Sequence, residues 1–425
     1  MLVVGYGISG KSCFVFLRHK GMNVFAYDDT NGNIPNRVTE LPGNVDLVVK
    51  SPSIPIMEHN RHPVIKQAYD KHIPVLSTFD IFRIYNPNAK IIAVTGTNGK
   101  STTTALICHI LQKSGISAEM GGNIGVSYFD MPKADWYVLE MSSYELASSQ
   151  YLDFEMACIL NIEPDHLGFH ENFENYVAAK HRALDNAKLR FISHEDTATL
   201  DKYASQNNVI TISNENIPSA DIYVRKNAIL NNLTERIAID LSGFTNLPGK
   251  HNHQNIEFAY AICKQFGLPS REIINHIRSF MPLPHRLNIT RHIKNVTFVN
   301  DSKATNPGSS ARALATFAGR NIFWLVGGRS KKVDPMIYIK DYIAEVQKVY
   351  LFGESMDEFD AIFKGIKTTV RCETMEKALQ MAYRDAKQAQ QGGVVLLSPM
   401  CASFDQFKSF EQRGDEFVRM VRELE

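Results

Sequence analysis

Lys100 and Ser101 stand where an apolar run gives way to a helical pattern, the setting that phosphate chemistry needs. Ile91-Ile92-Ala93-Val94 is strand-like. Thr95-Gly96-Thr97-Asn98-Gly99 forms a glycine-containing turn, and Lys100-Ser101-Thr102 opens a helix through Thr104, Ala105, Leu106, Ile107 and His109. Glycine lets backbone approach phosphate oxygens, and the N–H groups of Gly96 to Thr102 would point at an anion. Lys100 can reach terminal phosphates, and the Ser101 hydroxyl can take a Mg²⁺ ion. Val94 occupies the place of the first glycine in G-x-x-x-x-G-K-[ST]. The joint occurrence of strand, turn, Lys-Ser and helix nevertheless predicts a nucleoside triphosphate site rather than an ordinary turn with an exposed lysine.

Other polar groups fall at the ends of predicted strands. Trp136–Glu140 ends in a carboxylate followed by Ser142-Ser143, and a strand over Ala157–Ile162 leads to Glu163-Pro164-Asp165-His166. In open parallel sheets ligands sit at the carboxyl ends of strands, so Glu140, Asp165 and His166 are expected to face the crevice of Lys100 and to suit Mg²⁺ and phosphate. On composition Lys180, in Tyr176-Val177-Ala178-Ala179-Lys180, is a solvated helix residue. Asn252 and Asn255, at i and i+3, share a helix face and could hydrogen-bond a heterocycle. Near the amino end, Gly5-Tyr6-Gly7-Ile8-Ser9-Gly10 lies between an apolar strand and a helix, with Asp28-Asp29 about 20 residues on. Alone this reads as a dinucleotide site, and a dehydrogenase or an NAD-sensing module stays open at this point. Near the carboxyl end Asp301–Asn306, Gly327–Lys332 and Ser398–Asp405 each follow a predicted strand, which a small charged substrate explains better than packing does.

These residues need strands alternating with helices to position them. The 425-residue chain is 44% hydrophobic, enough for several packed cores. The alternation predicts an α/β protein of three domains: a Rossmann-like amino-terminal domain (1–88), a central phosphate-loop domain with a doubly wound sheet (89–284), and a Rossmann-like carboxy-terminal domain (285–425). Residues 218–248 read as a short β excursion and Met281–Arg286 as a linker. A net charge of +1 argues against a nucleic-acid binder driven by a basic surface. Six scattered cysteines suit reduced thiols in the cytoplasm. No apolar run reaches the roughly 18 residues of a membrane span. The first strand begins almost at Met1, so a shortened amino terminus is expected.

The stretches Thr95–Thr102, Gly121–Gly125, Glu140–Tyr144, Asn161–His166, His251–Asn255, Pro284–Arg286 and Asn300–Asn306 resemble, in this order, the Mur ligase family, which builds the bacterial cell-wall precursor. The resemblance spans nearly the whole chain. Ser398–Gly414 is similar to the member that adds D-glutamate to UDP-N-acetylmuramoyl-L-alanine. The resemblance implies ATP and two Mg²⁺ ions as cofactors, small-molecule substrates only, no nucleic acid, no membrane insertion, and a monomer.

It also implies site roles. Gly96 to Thr102, Asn252, Asn255, Arg286, Asp301 and Lys303 would bind ATP. Ser101, Glu140, His166 and a carbamylated Lys180 would hold metal, with Lys100, His166 and Lys180 catalytic. Gly7, Ile8, Ser9, Asp28, Ser51, Asn123 and Ser142 would bind the UDP-sugar, and Thr305, Lys331, Ser403 and Phe410 the D-glutamate. Ser51-Pro52-Ser53 departs from the usual Ser-Pro-Gly, and Gly328-Arg329-Ser330-Lys331 from Gly-Asp-Gly-Lys. A superfamily ligase for another amino acid, such as a folylpolyglutamate synthetase, is the alternative.

Overall fold

The apolar runs build three sheets. The structure, a computed structural model, describes residues 1–226, 228–233, 239–241, 244, 247 and 249–424. The first sheet holds β1 (Leu2–Val4), β2 (Phe25–Tyr27), β3 (Val48–Lys50) and β4 (Val75–Ser77), all parallel in the order β2-β1-β3-β4. The second holds β5 (Lys90–Thr95), β6 (Ala118–Gly122), β7 (Trp136–Glu140), β8 (Phe154–Ile159), β9 (Ala187–Ser193), β10 (Val209–Ser213), β11 (Ile222–Arg225), β12 (Ala228–Asn231) and β13 (Ile239–Asp240). Its order is β13-β12-β11-β10-β9-β8-β5-β7-β6, antiparallel only at β11–β12 and β12–β13. The third holds β14 (Asn288–Ile293), β15 (Val296–Asn300), β16 (Ile322–Gly327), β17 (Val346–Phe352), β18 (Thr369–Glu373) and β19 (Gly393–Leu397), in the order β14-β15-β19-β16-β17-β18. Only the β14–β15 pair is antiparallel there.

Parallel strands covered by helices on both faces are buried throughout, which is why they read as unbroken aliphatic runs. Ile91 to Val94 and Val394 to Leu397 are all inaccessible to solvent. The strand order β8-β5-β7 sets the carboxyl ends of three strands side by side at the phosphate loop.

The chain divides into two compact units, Met1–Phe244 with His253–Phe280 and Thr245–Asn252 with Met281–Glu425. The first contains two sheets and the second contains one. Three elements differ from the sequence reading. The strand expected over Ala157–Ile162 ends at Ile159, because Asn161 turns its carbonyl and its side chain towards the phosphate loop. β6 follows the helix Lys100–Lys113 and carries three glycine and alanine residues among its five, which hid it. β14 is a half-exposed edge strand whose polar residues hid it too. Of the β excursion at 218–248, residues 227, 234–238, 242, 243, 245, 246 and 248 lie outside the described residues.

Candidate active site

The phosphate loop is clamped by neighbouring strand ends. Thr97 N donates to Asn161 O at 2.8 Å and Asn98 N to Asn161 Oδ1 at 2.9 Å. Thr97 Oγ1 donates to the Glu163 carbonyl at 3.0 Å, and Asn98 Nδ2 donates to Glu163 Oε2 at 3.0 Å. Gly99 caps the helix Lys100–Lys113 at φ +85°, and a Cβ there would lie 2.4 Å from Asn255 Oδ1. Only glycine satisfies both demands. Asn255 also accepts from Thr103 Oγ1 at 3.1 Å, so it braces the loop from behind. Asn252 is buried one turn earlier on the same helix, Lys250–Lys264. Ser101 and Thr102 are buried in the first helical turn.

Two lysines converge on one carbonyl. Lys100 Nζ donates to Gly96 O at 2.9 Å and to Thr97 O at 3.0 Å, while Lys180 Nζ donates to the same Gly96 O at 2.8 Å. Lys180 is only 1% exposed, which corrects the reading of a solvated residue. The helix Phe173–Asp185 packs this face against the loop, and the Lys180 amine also lies 4.7 Å from the Tyr176 ring centre. Burial first, and then the Lys100 ammonium, push the Lys180 amine well below the usual lysine range, against Asp165, Glu140 and Asp196.

Glu140 ends β7, 3% exposed, with Asn123 Nδ2 donating to its Oε1 at 2.8 Å. His166, at φ +54°, places Nδ1 2.8 Å from Tyr144 OH and Nε2 3.6 Å from Asp165 Oδ2. Tyr144, Phe169, His170 and Tyr176 form an aromatic wall beside it that sequence reasoning missed. The Ser101 hydroxyl in the first helical turn, the Glu140 carboxylate at the end of β7 and the Asp165 carboxylate in the loop after β8 are hard oxygen donors, a chemistry that fits Mg²⁺. Among the described residues no three His, Cys, Asp or Glu side chains converge as a ready metal cluster.

In the first sheet, Gly7 caps the helix Ile8–His19, Ile8 is 79% exposed, and Ser9 is half-buried. A Cβ on Gly10 would lie 1.8 Å from Gly5 O and 2.4 Å from Ser51 Oγ, so the loop is folded tightly on itself. Ser51 Oγ donates to Gly5 O at 2.6 Å. Asp28 accepts from the N–H groups of Tyr6, Thr30 and Asn31. Burial opposes its ionisation, but these bonds outweigh burial and hold the carboxyl below its usual range. Both side chains therefore shape the loop. Ser142 caps the helix Ser143–Ser148 and donates to Glu145 Oε2 at 2.8 Å.

In the second unit, Asp301 is buried behind β15, accepting from Ser398 Oγ at 2.8 Å and from Leu287 N at 3.2 Å. Burial lifts its carboxyl to about 7, against Arg286 and Arg413. Lys303 Nζ sits 3.8 Å from the centre of the Phe410 ring, uniting two predicted site residues. Thr305 N bonds Lys303 O at 2.8 Å, Ser403 is buried and Lys331 exposed. The organiser is Arg413, which no sequence argument singled out. Fully buried, it donates to Ser302 Oγ (2.9 Å), Ser302 O (2.7 Å) and Cys401 O (3.1 Å), tying the loops after β15 and β19 together.

A phosphate loop with oxygen donors on flanking strand ends, in a chain of three largely parallel sheets, defines a nucleotide-dependent α/β enzyme. The Mur ligase middle domain family matches residues 94–263, and the Mur ligase glutamate ligase domain family matches residues 285–401. The UDP-N-acetylmuramoylalanine–D-glutamate ligase of Rickettsia bellii is 35% identical, covering 99% of this chain and 97% of its own. That of Agrobacterium fabrum is 36% identical, covering 99% and 94%. Among solved structures, UDP-N-acetylmuramate-alanine ligase from Thermotoga maritima aligns with a TM-score of 0.66 at 18% identity, covering 99% and 98%. A pseudomurein peptide ligase type C from Methanothermus fervidus aligns at 0.63 and 16%, covering 99% of each chain; both share the fold. The chain belongs to the Mur ligase family, whose members are ATP- and Mg²⁺-dependent and form amide bonds.

Proposed function

We propose that this protein joins D-glutamate to UDP-N-acetylmuramoyl-L-alanine at the expense of ATP, a step in making the peptidoglycan precursor. The observation that carries this is similarity over nearly the full length to ligases of that name. A carboxylate is a poor electrophile, because its leaving group would be oxide. Phosphorylation of the L-alanyl carboxylate by ATP gives an acyl phosphate, which the D-glutamate amine attacks with loss of phosphate.

In this reading Lys100 and the N–H groups of the loop hold the transferred phosphoryl group, so positioning and electrostatics supply the catalysis. Ser101, Glu140 and His166 would hold two Mg²⁺ ions, which neutralise phosphate charge when bound. Glu140 and His166 alone are a thin donor set, and a cationic Lys180 beside them would repel metal. Burial and then the Lys100 ammonium push its amine well below the usual lysine range, the direction that carbamylation needs. Attack of its lone pair on CO₂, with loss of a proton to solvent, turns it into a carbamate of charge −1 and supplies the missing oxygen ligand.

Residues 1–88 would take the UDP-sugar, 89–284 the ATP and 285–425 the D-glutamate, with hinges near Pro87–Ala89 and Pro282–Pro284 that let the domains close. Gly7, Ile8, Ser9, Asp28, Ser51, Asn123 and Ser142 would serve the first, and Thr305, Lys331, Ser403 and Phe410 the last. The enzyme would act in the cytoplasm, a reducing compartment that its six free, buried thiols suit, and as a monomer. No described helix is long and apolar enough to cross a membrane. The test is phosphate release from ATP with UDP-N-acetylmuramoyl-L-alanine and a panel of D- and L-amino acids. Release only with D-glutamate is expected; release with another amino acid, or with a folate in place of the UDP-sugar, would reassign the substrate.

A further inference from the structure

Lys50 ends β3 with 1% of its surface exposed, and the sequence reading passed over it. Its Nζ donates to Pro52 O at 3.0 Å, inside the turn closed by Ile54 N on Ser51 O at 3.1 Å. That turn carries Ser51, whose hydroxyl locks the Gly5–Gly10 loop.

Two buried carboxylates act on the amine through their charge. Asp80, on the helix Thr78–Tyr85, accepts from Ser77 N and Oγ and from the N–H groups of Gln150 and Tyr151. Glu145, on the helix Ser143–Ser148, accepts from Tyr128 OH at 2.5 Å and from Ser142 N and Oγ. Arg182 is the other cation of this junction, and it donates to the Ala147 and Ser149 carbonyls. Burial lowers the Lys50 amine to about 7, although Glu145 and Asp80 raise it.

A buried amine is costly, and an apolar side chain of the same length would fill the site with less penalty. Stability therefore does not account for it. We infer that Lys50 is a positioning residue for the UDP-linked substrate, fixing the Ser51–Ile54 turn and, through Glu145, relating it to Ser142. This rests on the reading above that Ser51 and Ser142 serve that substrate. A diphosphate arriving at this loop favours the ammonium, so binding weakens as the amine loses its proton above neutrality.

The test uses the full-length enzyme, Lys50→Met and Lys50→Arg. The KM for the UDP-linked substrate should rise about tenfold in Lys50→Met, with the KM for ATP and D-glutamate unchanged. In the wild type it should climb between pH 6.5 and 8.5; in Lys50→Met it should be flat, and Lys50→Arg should restore tight, pH-independent binding. Hydrogen exchange at the Ile54 amide, read without ligand, should quicken in Lys50→Met. A wild-type KM and pH profile in Lys50→Met, a parallel rise in all three KM values, or unaltered exchange at Ile54 would overturn the inference. A wild-type enzyme inactive with the UDP-linked substrate would instead sink the functional reading, while the exchange measurement still decides whether Lys50 positions the turn.

Discussion

The phosphate loop of the central sheet and the strand-end loops of the carboxy-terminal sheet solve the same problem in opposite ways. Around Gly96 two lysine side chains, Lys100 and the buried Lys180, both donate to one carbonyl, and backbone N–H groups complete the cradle. Around Asp301 the cation is interior scaffolding, since Arg413 spends its guanidinium on the carbonyls of Ser302 and Cys401. The first arrangement suits a group that transfers and leaves. The second holds Ser302 and Cys401, 99 residues apart in sequence, at fixed spacing, which suits the proposed recognition of a small chiral substrate.

Removing one amine at a time is the sharpest way to break this contrast. Lys100→Ala should lower turnover on the order of a thousandfold or more with the fold intact, because no other group replaces a cation at the transferred phosphate. Near-normal turnover in a folded variant would take the loop out of the active site. Lys180→Ala should cost roughly a hundredfold and regain part of it with added acetate or formate. The wild type equilibrated with ¹³C-labelled CO₂ should show a carbamate resonance that the variant lacks. No resonance and no rescue would leave Lys180 as a buried amine supporting Gly96.

In the second unit the expected losses are smaller and selective. Ser403→Ala should raise the KM for D-glutamate by about 1.5–3 kcal/mol, roughly ten- to a hundredfold, and leave that for ATP alone. An equal rise in both would break the division of labour between the two regions.

The same contrast explains what could be read in advance. The phosphate loop was legible because strand, glycines, Lys100 and helix are contiguous, and local geometry is written in local sequence. Composition alone made Lys180 a solvated residue, because its burial depends on which face of the helix Phe173–Asp185 meets the loop, and that is decided by packing. Arg413 was invisible as an organiser: it looks like any helix arginine until Ser302 and Cys401 are brought to it from β15 and β19. The spacing of Asn255 from Asn252 gave only a shared helix face, and the ATP role came from the resemblance; its bond to Thr103 and its contact with Gly99 appear only once the helix is docked.

The smallest effect should come from Asp301, and it tests whether the second region is indeed interior scaffolding. Its carboxyl titrates near 7 in the fold because burial penalises the anion. The unfolded chain releases the same proton near 3.9. Between those values the folded state binds more protons than the unfolded one. Stability from this group is therefore complete at low pH and is lost as pH rises through 7. From pH 6 to 8 the folded state holds on average about half a proton more, worth roughly 1.4 kcal/mol over the two units. Trp324, buried in β16 and donating to Ser398 O at 2.8 Å, reports on this region, and Trp136→Phe removes the only other tryptophan. In that background the urea midpoint followed by fluorescence should fall from pH 6 to 8. Asp301→Asn, neutral at every pH and of the same shape, should flatten that part of the slope. An identical slope in both proteins would mean that Asp301 is ionised throughout, paired with Arg286 or Arg413 as a surface-like carboxylate would be.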